Sequence, residues 1–199
     1  MKNIKILKNI IIDKNELKNF YNWIKHKAKN YIEIHPKNKK NPYLVCARKK
    51  YIKLHNNIID VYGDGHKSIR RLDRYKNHQI TELIEKLNYI TKTDKPNWPS
   101  IWIYSPHFSL PPHKDFARNN SIIIPITPAK QKVIIYNEKL PIVNEKLEHN
   151  ENYIEEEYTY DEDHPNVLNT DKIHGVLNGK EERVFLNFSG YCEWNDIWK

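Results

Sequence analysis

Ile173-His174-Gly175-Val176-Leu177-Asn178-Gly179-Lys180-Glu181-Glu182-Arg183-Val184, residues 173–184, reads as two short β-rich segments around an Asn-Gly pair. Asn-Gly in that setting is the strongest short-range signal for a two-residue hairpin turn, because both residues tolerate the positive φ the turn demands. The turn sets Leu177 against Lys180, Val176 against Glu181, Gly175 against Glu182 and His174 against Arg183. Directly opposed residues share one face of a sheet, with Cβ atoms about 4.5–5.5 Å apart. The hairpin therefore predicts an imidazole and a guanidinium side by side.

Upstream, Pro112-His113-Lys114-Asp115-Phe116 completes a constellation. In an extended segment residues i and i+2 share a face, so His113 and Asp115 point one way and Lys114 the other. Two imidazoles and one carboxylate form the set that holds ferrous iron on one side and leaves the opposite positions open. The planar fork of an arginine matches a carboxylate. His-x-Asp alone is a weak signal in a chain with 10 histidines. Its coincidence with His174 and Arg183 makes His113, Asp115 and His174 the predicted metal ligands, and Arg183 the predicted carboxylate anchor. His107 and His164 adjoin prolines in predicted loops and have no carboxylate at i+2, so they are not predicted ligands.

The texture around these residues is that of short strands. Segments 101–104, 121–126, 132–136, 153–158, 167–170, 173–177 and 183–189 are β-rich and separated by proline, asparagine and lysine clusters. Many short strands with frequent turns predict a sandwich or barrel. The N-terminal half reads differently. Ile4 to Ile12 is a predicted strand, and Asp13 with Glu16 forms a predicted helix N-cap. Leu17, Phe20, Tyr21, Ile24 and Ala28 follow at helical spacing, and a second amphipathic helix is predicted from Thr81 to Ile90. Short strands are predicted at Tyr43 to Ala47 and Tyr51 to His55, with loop over 30–42. Residues 57–80 and 138–165 are the predicted substrate-selecting loops. No linker divides the chain, so one α+β, mainly β domain is expected. Residues 1–98 serve as its strand and helix support, and 99–191 as its catalytic core.

The region 99–191 resembles the iron- and 2-oxoglutarate-dependent dioxygenases, whose core is a double-stranded β-helix (jelly roll). The likeness rests on Ile101-Trp102-Ile103-Tyr104 leading to Leu110-Pro111-Pro112-His113-Lys114-Asp115, and on Asn169-Thr170-Asp171-Lys172-Ile173-His174-Gly175-Val176 leading to Arg183. The nine-residue step from Tyr104 to His113 is similar to the prolyl-hydroxylase-like branch, where a tyrosine at that place contacts 2-oxoglutarate. The resemblance implies Fe(II), 2-oxoglutarate and O2 as cofactors, with ascorbate as an in vitro reductant. It implies hydroxylation of an unactivated C–H bond, with release of succinate and CO2. That branch usually carries lysine where this chain has Arg183, and several other branches place a hydroxyl residue two beyond the arginine, where this chain has Phe185. The likeness therefore does not extend to proline as substrate. Asp115 also separates the chain from halogenating relatives, which lack the carboxylate so that chloride can bind.

Further residues join the predicted site by position. Asn187 and Ser189 share the Arg183 face by alternation and are expected to finish a cosubstrate pocket. Arg118 lies three past Asp115, placed either to meet a substrate or cosubstrate carboxylate or to form a structural ion pair. Trp98 is placed to touch substrate at the mouth of the site. The acidic stretch 155–163 reads as a solvated loop or as a lid selecting a cationic substrate.

Composition narrows the remaining classes. A net charge of +8 invites a nucleic-acid partner, yet the lysines are scattered and only Arg70, Arg71 and Arg74, beside His66 and Lys67, form a patch. Cys46 and Cys192 are too few for a disulfide framework or a cysteine zinc site, which fits a reduced cytoplasmic setting. No apolar run approaches the length of a membrane span, and no signal peptide is read. The expected substrate is an amino acid, a protein side chain or another small molecule. The alternatives are a nucleic-acid base oxygenase or demethylase, and a non-oxidative metal-binding jelly roll.

Overall fold

The computed structural model describes residues 2–27, 52–54, 57–61, 66–70, 82–83, 85–87, 89, 99–115, 118–128, 130–143 and 146–197. Fourteen strands are present among them. The N-terminal half holds β1 (Ile4–Ile6), β2 (Ile52–Leu54), β3 (Asn57–Val61) and β4 (His66–Arg70). Next come β5 (Ser100–Tyr104), β6 (Ser109–His113), β7 (Asn120–Pro125), β8 (Lys132–Tyr136), β9 (Ile142–Val143) and β10 (Lys146–Leu147). The last are β11 (Ile154–Tyr158), β12 (Asn166–Asn169), β13 (Ile173–Leu177) and β14 (Arg183–Gly190). They form an eight-stranded sheet in the order β1-β12-β7-β14-β5-β4-β3-β2, a four-stranded sheet in the order β11-β8-β13-β6, and the small pair β9-β10. All pairings are antiparallel. This is the jelly roll the sequence predicted, and the seven strands expected after residue 100 appear with ends shifted by at most one residue.

Alternation along the strands builds three apolar layers. Val184, Leu186 and Phe188 of β14, with Ile122 and Ile124 of β7, face outward from the larger sheet. They pack against Leu17, Phe20 and Tyr21 of helix α1 (Lys14–Lys27), and Leu87 joins the same cluster from a helical stretch within 82–89. Asp13 caps α1 as predicted, its Oδ1 accepting from the backbone N–H of Asn15 at 2.9 Å and of Glu16 at 3.0 Å. The intervening residues Tyr104, Ile123, Leu168 and Phe185 point the other way and meet Leu110, Val133, Ile135 and Val176 of the smaller sheet. Ile134, Tyr136 and Ile173 cover the smaller sheet's outer face.

Three expectations are corrected. The predicted strand from Ile4 to Ile12 ends at Ile6, and Leu7, Ile10 and Ile12 are buried at a non-alternating spacing against the helix layer. Segment 57–80 is not simply loop, because β3 and β4 lie within it and extend the larger sheet next to β5. The hairpin at Asn178-Gly179 does not form. β13 pairs with β6 and β8 in one sheet, and β14 pairs with β5 and β7 in the other. Neither Asn178 nor Gly179 adopts the positive φ that a two-residue hairpin turn requires. Asn178 is tied instead to the β5–β6 connection, its N–H donating to Phe108 O at 3.0 Å and its side-chain amide to Ser105 O at 2.7 Å. The predicted strand at Tyr43 to Ala47 and the loop over 30–42 lie outside the described residues.

Candidate metal centre

The inward faces of both sheets converge on one site. His113 ends β6 and His174 is the second residue of β13, and the two are direct partners across that antiparallel pair. Their rings stand with centroids 4.4 Å apart. Asp115 lies beyond the end of β6, held by its N–H donating to Thr170 O at 3.2 Å. The donor atoms of His113, Asp115 and His174 all lie within 4.8 Å of one another, and they are the only such group among the described residues.

Edge geometry explains this local arrangement. β6 is the edge strand of the smaller sheet, the position where Pro111 and Pro112 cost least because they lack N–H donors. The register shifts between His174 and Val176, so β6 bulges at the prolines and re-aims His113. Gly175 faces that bulge from behind. A Cβ there would stand 2.8 Å from His149 Cε1 and 3.0 Å from Leu110 O, so only glycine fits after His174.

Both imidazoles are oriented the same way. His113 Nδ1 lies 2.9 Å from Pro111 O, and His174 Nδ1 lies 2.9 Å from Lys172 O. A ring that donates through Nδ1 keeps the lone pair on Nε2, the atom free to bind a metal. Burial holds His113 below the usual imidazole range, and burial together with the neighbouring His113 brings His174 to about 4. Burial alone would raise the Asp115 carboxyl. The charge of Arg118, with His174 and His113 beyond it, outweighs that effect and holds it at about 2. At neutral pH the three groups are therefore two neutral imidazoles and a carboxylate, each in its metal-binding form.

Arg183 opens β14 opposite Tyr104 of β5 and points into the same cavity as both histidines. It is 2% exposed. Its Nε, Nη1 and Nη2 meet no partner at full hydrogen-bond geometry among the described residues, and the Tyr160 hydroxyl makes a weaker polar contact with the guanidinium. Aromatic rings surround the guanidinium, with centroids at 4.0 Å for Phe185, 4.8 Å for Tyr160 and 5.5 Å for Tyr104. A buried charge without a partner is costly, and five planar N–H donors aimed into a cavity suit a carboxylate. Burial pushes the Tyr104 hydroxyl up and the Tyr160 hydroxyl up to about 12, so both keep their protons at neutral pH.

The remaining predicted residues divide. Asn187 lines the cavity, whereas Ser189, one strand repeat further on, is outside its lining. Arg118 also lines the cavity and pairs with Asp115 at 2.6 Å. Trp98, Arg71 and Arg74 lie outside the described residues, and Arg70 ends β4. The acidic stretch is not all loop, since 155–157 lie in β11, and carboxylates within it are paired: Glu157 with Lys132, Asp161 with His164, and Asp163 with Lys14. Sequence reasoning missed Tyr160, which reaches Arg183 from the connection between β11 and β12 and carries no spacing signal. Trp102, which sequence reasoning did not place in the site, also lines the cavity. The cavity measures about 30 Å3, room for a couple of waters. A larger hollow of about 260 Å3, between residues 128–131 and 178–183, contains none of the three clustered side chains.

No protein-family model and no curated protein matches the sequence. Solved structures do match the fold. A prolyl-4-hydroxylase from Pseudomonas putida superposes with TM-score 0.52 at 10% identity, covering 96% of this chain and 94% of that chain. A Trichoplax adhaerens prolyl hydroxylase, in complex with a hypoxia inducible factor oxygen degradation domain peptide fragment, gives 0.51 at 9% identity over 98% and 86%. At such identities the likeness establishes architecture. The chain has the jelly-roll fold seen in those hydroxylases.

Proposed function

We propose that the protein is an Fe(II)- and 2-oxoglutarate-dependent oxygenase that hydroxylates an amino acid, a protein side chain or another small molecule. One observation carries the reading: a buried arginine without a partner at full hydrogen-bond geometry shares a cavity with a two-histidine, one-carboxylate cluster. A purely structural metal site has no use for that guanidinium, which favours the oxygenase over the non-oxidative alternative.

In this reading His113, Asp115 and His174 hold the iron from one side. Arg183 binds the far carboxylate of 2-oxoglutarate, and the Tyr104 and Tyr160 hydroxyls stand ready as additional donors. Iron, 2-oxoglutarate and O2 supply the oxidising chemistry, yielding succinate and CO2 with the hydroxylated product. The protein's own contribution is position and dryness. Leu110, Ile123, Leu168, Val176 and Phe185 exclude water between the sheets, and the backbone carbonyls of Pro111 and Lys172 fix the imidazole tautomers.

Succinate release, with Fe(II) and ascorbate present, is the direct test, screened over amino acids, peptides and oligonucleotides. His113→Ala and Asp115→Ala each abolish it, whereas His107→Ala leaves it intact. Adding 2-oxoglutarate to the anaerobic Fe(II) protein produces a charge-transfer band that Arg183→Met loses. Absence of that band in the wild type refutes the reading. Stimulation by oligonucleotides alone shifts it to a nucleic-acid oxygenase.

A further inference from the structure

Asp115 has the weakest backbone support of the three ligands. The two histidines sit on paired strands, whereas the aspartate lies in irregular chain beyond β6. Its two oxygens nonetheless have distinct surroundings. Oδ2 accepts from Arg118 Nε at 2.6 Å, and Oδ1 lies 3.7 Å from His113 Nε2, facing the cluster. One oxygen is engaged and the other is offered.

Arg118 is itself held by the opposite sheet. Its Nη1 donates to Asn187 Oδ1 at 2.9 Å, and that oxygen also accepts from Ser121 Oγ at 2.9 Å. Its carbonyl accepts from Thr170 Oγ1 at 3.0 Å, and its guanidinium lies 5.5 Å from the centroid of the Trp102 ring. β5, β7 and β14 of the larger sheet thus locate the arginine, and the arginine locates a carboxylate belonging to the smaller sheet. Three hydrogen bonds and a ring contact make this a fixed strut rather than a loose surface pair, and the Arg118 side chain is 13% exposed.

We propose that Arg118 is a positioning residue that holds Asp115 to metal ligation through Oδ1 alone and thereby keeps a coordination position open for the cosubstrate. The inference rests on the metal-centre reading above. Carboxylates bind metals through one oxygen or two. With Oδ2 occupied by a charge-assisted bond, the second mode requires breaking that bond. Without Arg118, Oδ2 is free to rotate onto the metal and compete with an incoming 2-oxo acid.

The test uses Co(II) as a spectroscopic probe and N-oxalylglycine as an unreactive 2-oxo acid analogue, both added anaerobically to the full chain. In Arg118→Met, Co(II) still binds, its visible absorption changes intensity and position, and N-oxalylglycine affinity for the Co(II) protein falls at least tenfold. Arg118→Lys, which restores a charge and one donor, recovers part of that loss. Folding of each variant is checked by circular dichroism. If Arg118→Met does not fold, Asn187→Ala carries the test, because it releases the strut while leaving the bond to Asp115. With the arginine no longer braced against β14 its bond to Oδ2 loosens without being removed, so the variant shows a smaller spectral change in the same direction and a smaller loss of affinity. A folded variant with unchanged spectrum and unchanged N-oxalylglycine affinity overturns the proposal and leaves Arg118 a structural ion pair. Wild-type protein that binds no Co(II), or binds it equally well after His113→Ala, overturns the metal-centre reading and this inference with it.

Discussion

Replacing Arg183 by methionine is expected to stabilise the metal-free, ligand-free protein while removing its affinity for 2-oxoglutarate. The guanidinium is buried, its three nitrogens meet no partner at full hydrogen-bond geometry among the described residues, and the Tyr160 hydroxyl makes only a weaker polar contact with it. Leaving a charged group unpaired in an interior costs about 3 kcal/mol. Contacts with Phe185, Tyr160 and Tyr104 offset about 1 kcal/mol of this through the cation–π attraction. Methionine fills a similar volume without the charge, so the net gain is about 2 kcal/mol. For a chain of 199 residues that raises Tm by about 4–8 °C. The assay is thermal unfolding by circular dichroism in chelator, followed by the same scan with metal and 2-oxoglutarate. At a ligand concentration about 100 times Kd the wild type gains about 2.7 kcal/mol from binding. The variant, with His113, Asp115 and His174 intact, keeps what the metal supplies and gains nothing from 2-oxoglutarate. A variant less stable than the wild type in chelator, or one that retains the 2-oxoglutarate shift, refutes the argument that Arg183 is held unpaired for an anion.

Three other outcomes follow from the same coordinates. Gly175→Ala forces a Cβ to within 2.8 Å of His149 and 3.0 Å of a backbone oxygen, which lowers stability by about 1–3 kcal/mol in urea unfolding; His149→Ala in the same chain restores only the part due to the imidazole. Because burial depresses both histidines, the folded apoprotein loses stability as pH falls from about 6.5 toward 4, where the unfolded chain takes up protons that His174 does not; Asp115 adds a further loss below its ordinary range, toward pH 2. Calorimetry at pH 6 in buffers of different ionisation enthalpy checks the same depression: two ordinary histidines would release about 1.5 protons on binding Zn(II), and this site releases fewer, with almost none from His174. Tyr104→Phe and Tyr160→Phe each weaken binding of N-oxalylglycine to the Co(II) protein several-fold, measured by titration; unchanged affinity in both removes the tyrosine hydroxyls from the carboxylate site.

What the sequence determined by itself was which side chains make up the candidate site and the strand texture around it. His113, Asp115, His174 and Arg183 were legible because a two-imidazole, one-carboxylate set beside an arginine is an uncommon coincidence. The short strands were legible because alternation and turn residues are local signals. The route by which the four side chains meet was decided only in three dimensions. The Asn-Gly pair argued for a hairpin, but a turn preference is a small local term, and burial of β13 and β14 in two facing sheets outweighed it. His174 therefore stands opposite His113, not Arg183, and Arg183 reaches the cavity because alternation along β14 turns it inward with Phe185 and Asn187. Tyr160 over the guanidinium and Arg118 on the far oxygen of Asp115 depend on contacts between segments and sheets that no periodicity encodes. Local spacing can name a ligand; only packing between layers can say what stands next to it.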